Sequence, residues 1–235
     1  MSRIAVDIDS TLYDFETPAR EAFTKLAEER DDRTLLMGAY HPWTEWRSPA
    51  DVCGLPVWLD AIALCHSEEI ILAQTPFNGA VETCQQLARE GHELLYISNR
   101  AVESAEATAQ WLDKWEFPLN HSDIARAEDW HDGHALKCLT TDKKPFLSDC
   151  QYLIDDRPKT AIVFIYDFDW QRQHGEMHAE STEKPRRAFL IAYPYNQALT
   201  DIRHLYLAPT WAGINTYLVS KGVLTKPAYH ALGVS

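Results

Sequence analysis

Short apolar runs that end in polar residues alternate with helix-like segments, and this alternation constrains the fold more than any other feature of the chain. The strand candidates are residues 3–7, 93–97, 152–154 and 189–192, with a weaker one at 162–166. The helix candidates include 78–90, which stops at a glycine, and 101–115. Strands that alternate with helices are typical of a parallel sheet covered on both faces. We therefore predict an α/β fold with a Rossmann-like parallel sheet flanked by helices.

The segment after the first strand lacks a strand pattern and indicates an insertion. Amphipathic stretches at 18–30 and 56–73 flank an aromatic and proline-rich piece at 41–49. We predict a small helical cap at 16–76, inserted into a catalytic core formed by 1–15 and 77–235. Residues 171–187 are polar and lack periodicity, which predicts a loop.

Composition limits the partners and the cellular compartment. The chain has 22 Lys and Arg against 35 Asp and Glu, a net charge of -13, so duplex nucleic acid is an unlikely partner by electrostatics alone. Five cysteines without a C-x-x-C pair argue against a disulfide framework and a zinc site. No run reaches the roughly 20 apolar residues that span a bilayer, and an early carboxylate interrupts any signal-peptide pattern. We expect a cytoplasmic protein with no membrane partner.

Carboxylates lie at the ends of two predicted strands. Asp7 and Asp9 end the first, and Asp155 and Asp156 end the third. The carboxyl ends of parallel strands meet at one edge of a sheet, so these acids should lie close together. Their mutual repulsion requires a hard cation, and Mg²⁺ is the natural choice because it prefers oxygen ligands and retains exchangeable waters.

A metal at this edge would support phosphoryl transfer. With the cation in place, a phosphate group can approach Asp7, and a carboxylate nucleophile can form an acyl-phosphate. Ser98, at the end of the second predicted strand, can donate a hydrogen bond to the phosphoryl group. A lysine would complete the charge balance.

The pattern of these strand ends resembles the haloacid dehalogenase superfamily of phosphohydrolases. The first motif of that family, Asp-x-Asp-x-Thr, stands here at 7–11, the second, a strand-terminal Ser or Thr, at Ser98, and the fourth, a paired acid, at 155–156. For the third motif, a lysine, both Lys143 and Lys144 are candidates. We favour Lys143 as the catalytic residue and assign Lys144 to substrate binding.

The resemblance implies specific roles for the acids. Asp7 would be the nucleophile and a metal ligand. Asp9 would protonate the leaving oxygen and then activate water, while its backbone carbonyl binds the metal. Asp155 would bind Mg²⁺ directly, and Asp156 would act through a bound water.

Within the superfamily, the chain looks most like the 5′(3′)-deoxyribonucleotidases and related phage or bacterial nucleotidases. The matching pieces are residues 14–15, the helical cap, residues 152–158, and residues 193–196 before a terminal Trp-containing helix. The resemblance implies hydrolysis of a (deoxy)nucleoside monophosphate, a small-molecule phosphate monoester. The departures are Ser10, where glycine is common, and the extra polar segment after Asp167.

In addition to Lys144, several residues are candidates for substrate contact. They are Thr11, Phe15, Trp43, Trp46 and Asn99. Aromatic faces can stack on a nucleobase, and Phe15 is the favoured one because it follows the catalytic loop, but the same rings could pack a small cap. Asn99 and Arg100 could instead cap the following helix.

The sequence is also compatible with three alternative functions. The protein could be a phosphatase of another small metabolite, a phosphatase of polynucleotide ends, or a non-catalytic binding protein with the same fold. The acidic net charge opposes the polynucleotide alternative. The sequence leaves open the base and sugar preference, the choice of 5′ or 3′ phosphate and the oligomeric state, with a homodimer as one alternative.

Overall fold

The structure, a computed structural model, describes residues 1–40, 48–119, 136–138, 147–173, 185–199 and 201–225. Within these residues the core is one parallel sheet with the strand order β3-β2-β1-β4-β5-β6. The strands are β1 (Arg3–Asp7), β2 (Glu93–Ser98), β3 (Leu136–Cys138), β4 (Tyr152–Asp155), β5 (Arg187–Ile191) and β6 (Leu205–Ala208). The predicted Rossmann-like α/β fold is confirmed.

The central strands are apolar because both of their faces are buried. Along β1, Ile4 and Val6 pack into one hydrophobic cluster, and Ala5 packs into a second cluster on the opposite face. In a strand that is covered on both faces, every side chain is buried, so its sequence is a continuous apolar run and does not alternate between apolar and polar residues. This is the reason that β1 and β2 could be recognised directly from the sequence.

Helices form the remaining described elements. They are α1 (Glu16–Arg30), α2 (Leu36–Tyr40), α3 (Ser48–Cys53), α4 (Leu55–Cys65), α5 (Glu68–Ala73), α6 (Ala80–Arg89), α7 (Ala105–Lys114), α8 (Pro158–Gln173) and α9 (Trp211–Ser220), with short 3-10 turns at Arg33–Leu35 and Val102–Ser104. The predicted stop of α6 is correct, since Gly91 takes a left-handed φ of 83° just after the helix.

The inserted segment between β1 and α6 is helical, as predicted. Its described part contains α1 to α5 and no strand. The single stretch predicted at 56–73 divides into α4 and α5, because the chain turns at His66 and Ser67. Trp58 of α4 stacks on Phe23 of α1 with ring centroids 5.8 Å apart, which joins these helices into one layer.

Three assignments from the sequence differ from the structure. The weak strand candidate at 162–166 is wrong, since it lies inside α8, and short apolar runs do not distinguish a strand from a buried helix. The predicted loop at 171–187 is partly wrong, because 171–173 extend α8 and Arg187 begins β5, while 174–184 lie outside the described residues. Two short strands, β3 and β6, were missed.

Candidate active site

Two acids of the site come together because their strands are neighbours. Asp7 ends β1 and Asp155 ends β4, and these strands pair in parallel at the centre of the sheet. Strand order changes direction at this pair, and the carboxyl ends at such a switch point form a crevice where ligands bind. Asp156 follows directly, and ligand oxygens of Asp7, Asp155 and Asp156 all lie within 4.8 Å of one another.

We call Asp7, Asp155 and Asp156 the acid triad. Its members are 4%, 0% and 0% exposed, so their charges are withdrawn from water. Buried carboxylates at this spacing repel one another strongly unless a cation lies between them. A set of oxygen donors that is buried, convergent and negatively charged could hold a metal ion, and it suits a hard divalent cation.

Neutral hydrogen-bond donors hold the acid triad in place. Thr11 Oγ1 donates to Asp7 Oδ2 at 3.2 Å. Asp155 Oδ1 accepts from the backbone N–H groups of Asp156 and Arg157, both at 2.8 Å. These donors orient the carboxylates without adding a positive charge that would repel a cation.

A loop after β5 supports Asp156, and sequence analysis assigned it no role. Tyr195 donates its hydroxyl proton to Asp156 Oδ2. Asn196 is fully buried, and its Nδ2 donates to the backbone oxygens of Asp156, at 2.8 Å, and Ile191, at 2.7 Å. The sequence indicated residues 193–196 only as part of the family resemblance. Their contact with Asp156 depends on how the chain folds after β5.

Asp9 lies apart from the acid triad and is held by a buried arginine. Arg100 Nη2 and Nε donate to Asp9 Oδ1 at 2.8 and 3.2 Å, and Tyr13 donates its hydroxyl proton to the same oxygen at 2.6 Å. Ser98 Oγ donates to Asp9 Oδ2 at 2.9 Å. Arg100 is 1% exposed, and its Nη1 donates to Thr108 Oγ1 at 2.7 Å. Arg100 is therefore not the N-cap of a following helix, the alternative considered from the sequence, since Ala101 and Ser104 hold those positions.

These contacts control the ionisation of Asp9. Burial alone would raise its pKa, but Arg100 and then His66 outweigh burial and hold the pKa well below the ordinary value of 3.8. His66 follows α4 in the helical segment between β1 and α6, and its Nε2 lies 3.6 Å from Asp9 Oδ2. Asp9 therefore links this segment to the residues after β2, and the sequence indicated neither the Arg100 contact nor the His66 contact.

The loop that carries Asp7 and Asp9 has a constrained backbone. Ser10, which departs from the family pattern, adopts a φ of 61°, in the left-handed region that glycine enters more easily. The indole nitrogen of Trp211, at the start of α9, donates to the backbone oxygen of Thr11 at 2.7 Å. The terminal helix thus fixes the loop against the sheet.

The remaining sequence-derived candidates are distributed as follows. Thr11 and Phe15 are both 0% exposed; the Phe15 ring lies against Tyr13 and His66, at centroid distances of 6.4 and 5.5 Å. This placement favours the packing alternative for Phe15. Asn99 is exposed directly after β2, between Ser98 and Arg100, whose side chains contact Asp9. Four candidates lie outside the described residues, namely Trp43, Trp46, Lys143 and Lys144.

Solved structures share this architecture. A HAD family hydrolase from Deinococcus radiodurans R1, determined with bound phosphate and sodium, superposes with a TM-score of 0.51 at 14% identity, covering 96% of this chain and 98% of that one. A Thermotoga maritima protein described as a "putative beta-phosphoglucomutase" gives a TM-score of 0.52 at 13% identity, covering 94% and 99%. At these identities the likeness shows the fold alone. Among the described residues, no helix has the length and apolar character to cross a membrane.

Sequence comparison shows the family. The model of the haloacid dehalogenase-like hydrolases matches residues 1–131. A Bacillus cereus protein named "Putative nucleotidase" is 47% identical over 93 residues, which span 39% of this chain but only 44% of that relative. An Oceanobacillus iheyensis protein of the same description is 32% identical over 162 residues, or 67% of this chain and 78% of the relative. The chain therefore belongs to the haloacid dehalogenase-like hydrolases, and it is similar to nucleotidase-like members of that family.

Proposed function

We propose that this protein is a magnesium-dependent phosphomonoesterase that forms an aspartyl-phosphate on Asp7 and releases phosphate from (deoxy)nucleoside monophosphates. The observation that carries the proposal is the acid triad, whose buried ligand oxygens converge within 4.8 Å. The nucleotide substrate is supported by the names of the two sequence relatives. Membership of the hydrolase family supports the phosphatase reaction.

The acid triad would hold Mg²⁺, which would neutralise charge on the phosphoryl oxygens. An Asp7 oxygen attacks phosphorus, and the bond from phosphorus to the leaving oxygen breaks. In the second half, Asp9 takes a proton from water as that water attacks the phosphorus, and Asp7 leaves as a carboxylate. The ion pair with Arg100 favours this half, because it keeps Asp9 ionised. In the first half, Asp9 would enter protonated and give that proton to the leaving oxygen as the bond to phosphorus breaks. The ion pair with Arg100 opposes the protonated form, and Asp9 regains its proton from water in the second half.

Other assignments belong to the same proposal. Lys143 would stabilise the phosphoryl group, and the exposed Asn99 would contact substrate. The proposal also divides the chain into a core of 1–15 and 77–235 and a helical cap of 16–76. The proximity of His66, just after α4, to Asp9 supports a cap that lies next to the loop after β1.

Substrate class can be tested with a panel of phosphate monoesters in the presence of Mg²⁺. We expect kcat/KM for deoxynucleoside and nucleoside monophosphates to exceed that for sugar phosphates by about tenfold or more, because the cap would bind the base. Phosphate release measured under identical conditions provides the comparison. A flat profile, or a preference for sugar phosphates, would end the nucleotide assignment.

Metal binding can be tested without substrate. For the wild type, Mg²⁺ at about 100 times its Kd should stabilise the fold by about 2.7 kcal/mol, or a Tm rise of roughly 5–10 °C. Asp155→Asn should lose most of this rise, because the amide is a weaker ligand than a carboxylate. The exposed Asp149 supplies the matched control, and Asp149→Asn should retain the full shift. An equal Mg²⁺ shift in Asp155→Asn would contradict the assignment of the site.

A further inference from the structure

We propose that Tyr195 is a positioning residue for the divalent cation, which it serves by fixing the carboxylate of Asp156. This inference rests on the metal site of the proposed function and extends it to a loop that follows β5, outside the acid motifs. Its basis is the hydrogen bond from the Tyr195 hydroxyl to Asp156 Oδ2. With one oxygen held, the carboxylate has one fixed orientation within the acid triad.

The Tyr195 ring is itself restrained. It stacks on Tyr193 with centroids 5.3 Å apart and an angle of 3° between the rings. Asn196, the next residue, joins the ends of β4 and β5 through its two hydrogen bonds to backbone oxygens, and its Oδ1 accepts from Tyr193 N at 2.8 Å. The loop is therefore tied to the same strand end that carries Asp156, so the hydroxyl has little freedom to move away.

The chemistry of the donor fits a cation site. A tyrosine hydroxyl stabilises a buried carboxylate without adding a positive charge that would repel a divalent ion. The Thr11 hydroxyl and the backbone N–H groups that donate to the other two triad acids share this property. Asp9, whose carboxylate pairs with the Arg100 guanidinium, lies outside the acid triad.

The test compares two tyrosines of the same loop. Tyr195→Phe removes the hydroxyl that reaches Asp156 and keeps the ring. Groups that orient a metal ligand typically change metal affinity by about 10–100-fold, so we expect the Mg²⁺ Kd of Tyr195→Phe to rise by at least about tenfold. Tyr193→Phe keeps the same stack, and Tyr193 is not among the described donors to Asp156, so its Kd should stay within about twofold of wild type. Isothermal titration of the substrate-free protein with MgCl₂ measures both.

A double variant distinguishes positioning from a general loss of structure. If Tyr195 acts through Asp156, Tyr195→Phe should change the Mg²⁺ Kd by less than about twofold in an Asp156→Asn background. Equal affinities for wild type and Tyr195→Phe, or a full tenfold loss that persists in the Asp156→Asn background, would overturn the inference. A wild-type protein that binds no Mg²⁺ would instead overturn the metal site of the proposed function, and the inference with it.

Discussion

Asp7→Asn is expected to lower kcat by roughly 10⁴-fold or more, because an amide cannot replace the carboxylate that attacks phosphorus. The fold should survive the change. Asp7 is buried beside two other acids, so removal of its charge relieves repulsion, and the Tm in metal-free buffer should be unchanged or higher. Steady-state phosphate release and a thermal melt of the same preparation measure the two effects.

An intermediate-trapping experiment separates loss of the nucleophile from loss of substrate binding. Acid quench of a single turnover with phosphate-labelled nucleotide should leave label on the wild-type protein and none on Asp7→Asn. The exposed acid Asp113 on α7 supplies the control, since Asp113→Asn should turn over and label like the wild type. Turnover by Asp7→Asn within about tenfold of wild type would exclude Asp7 as the nucleophile.

Arg100→Met is expected to give the largest loss of stability, about 3–5 kcal/mol in the free energy of unfolding. The substitution leaves the Asp9 charge buried without the guanidinium that lies 2.8 Å from it, and it also removes the donor to Thr108 Oγ1. For a chain of this length the loss corresponds to a Tm decrease of roughly 6–20 °C. Urea denaturation monitored by circular dichroism measures the free energy directly.

Two comparisons test the cause. Asp9→Asn combined with Arg100→Met should recover part of the stability, because neither charge then remains. Arg30→Met breaks an exposed pair with Asp60, whose side chains are 43% and 52% exposed, and should cost at most about 1 kcal/mol. If Arg100→Met is no more destabilising than Arg30→Met, the buried pair is not a major source of stability.

The sign of the pH dependence follows from the lowered pKa of Asp9. The folded-state pKa lies below the ordinary value of 3.8, so the contribution of the pair is present above that value and is lost as the pH falls through the folded pKa. The difference in stability between the wild type and the Asp9→Asn, Arg100→Met double variant, measured by acid unfolding, should therefore shrink as the pH falls below 3.8.

The acid triad was accessible from the sequence because its position depends on topology. Asp7 and Asp155 end strands that read as buried apolar runs, and the carboxyl ends of neighbouring parallel strands must meet. The strands β3 and β6 were missed. They are short and form the two edges of the sheet, and neither is followed by the paired acids that mark the end of the equally short β4.

The contacts of Asp9 could not be predicted from the sequence because they depend on side-chain placement. Ser98 was predicted to donate a hydrogen bond to the phosphoryl group, whereas its hydroxyl donates to Asp9 in this structure. Arg100 follows Ser98 by two residues, but its partner lies 91 positions earlier in the chain. Phe15 likewise follows the catalytic loop in sequence, yet its ring is completely buried. Neighbours in sequence do not determine which way a side chain turns in the core.

The central claim is that a single cation lies between Asp7 and Asp155 while Asp7 receives the phosphoryl group. The most direct measurement is a crystal structure with Mn²⁺ and beryllofluoride, a mimic of the aspartyl-phosphate, with the metal located by anomalous scattering. We predict one anomalous peak within about 2.3 Å of carboxylate oxygens of both residues, and beryllofluoride bonded to Asp7. A peak that contacts only one of the two acids, or beryllofluoride bonded to another residue, would contradict the claim.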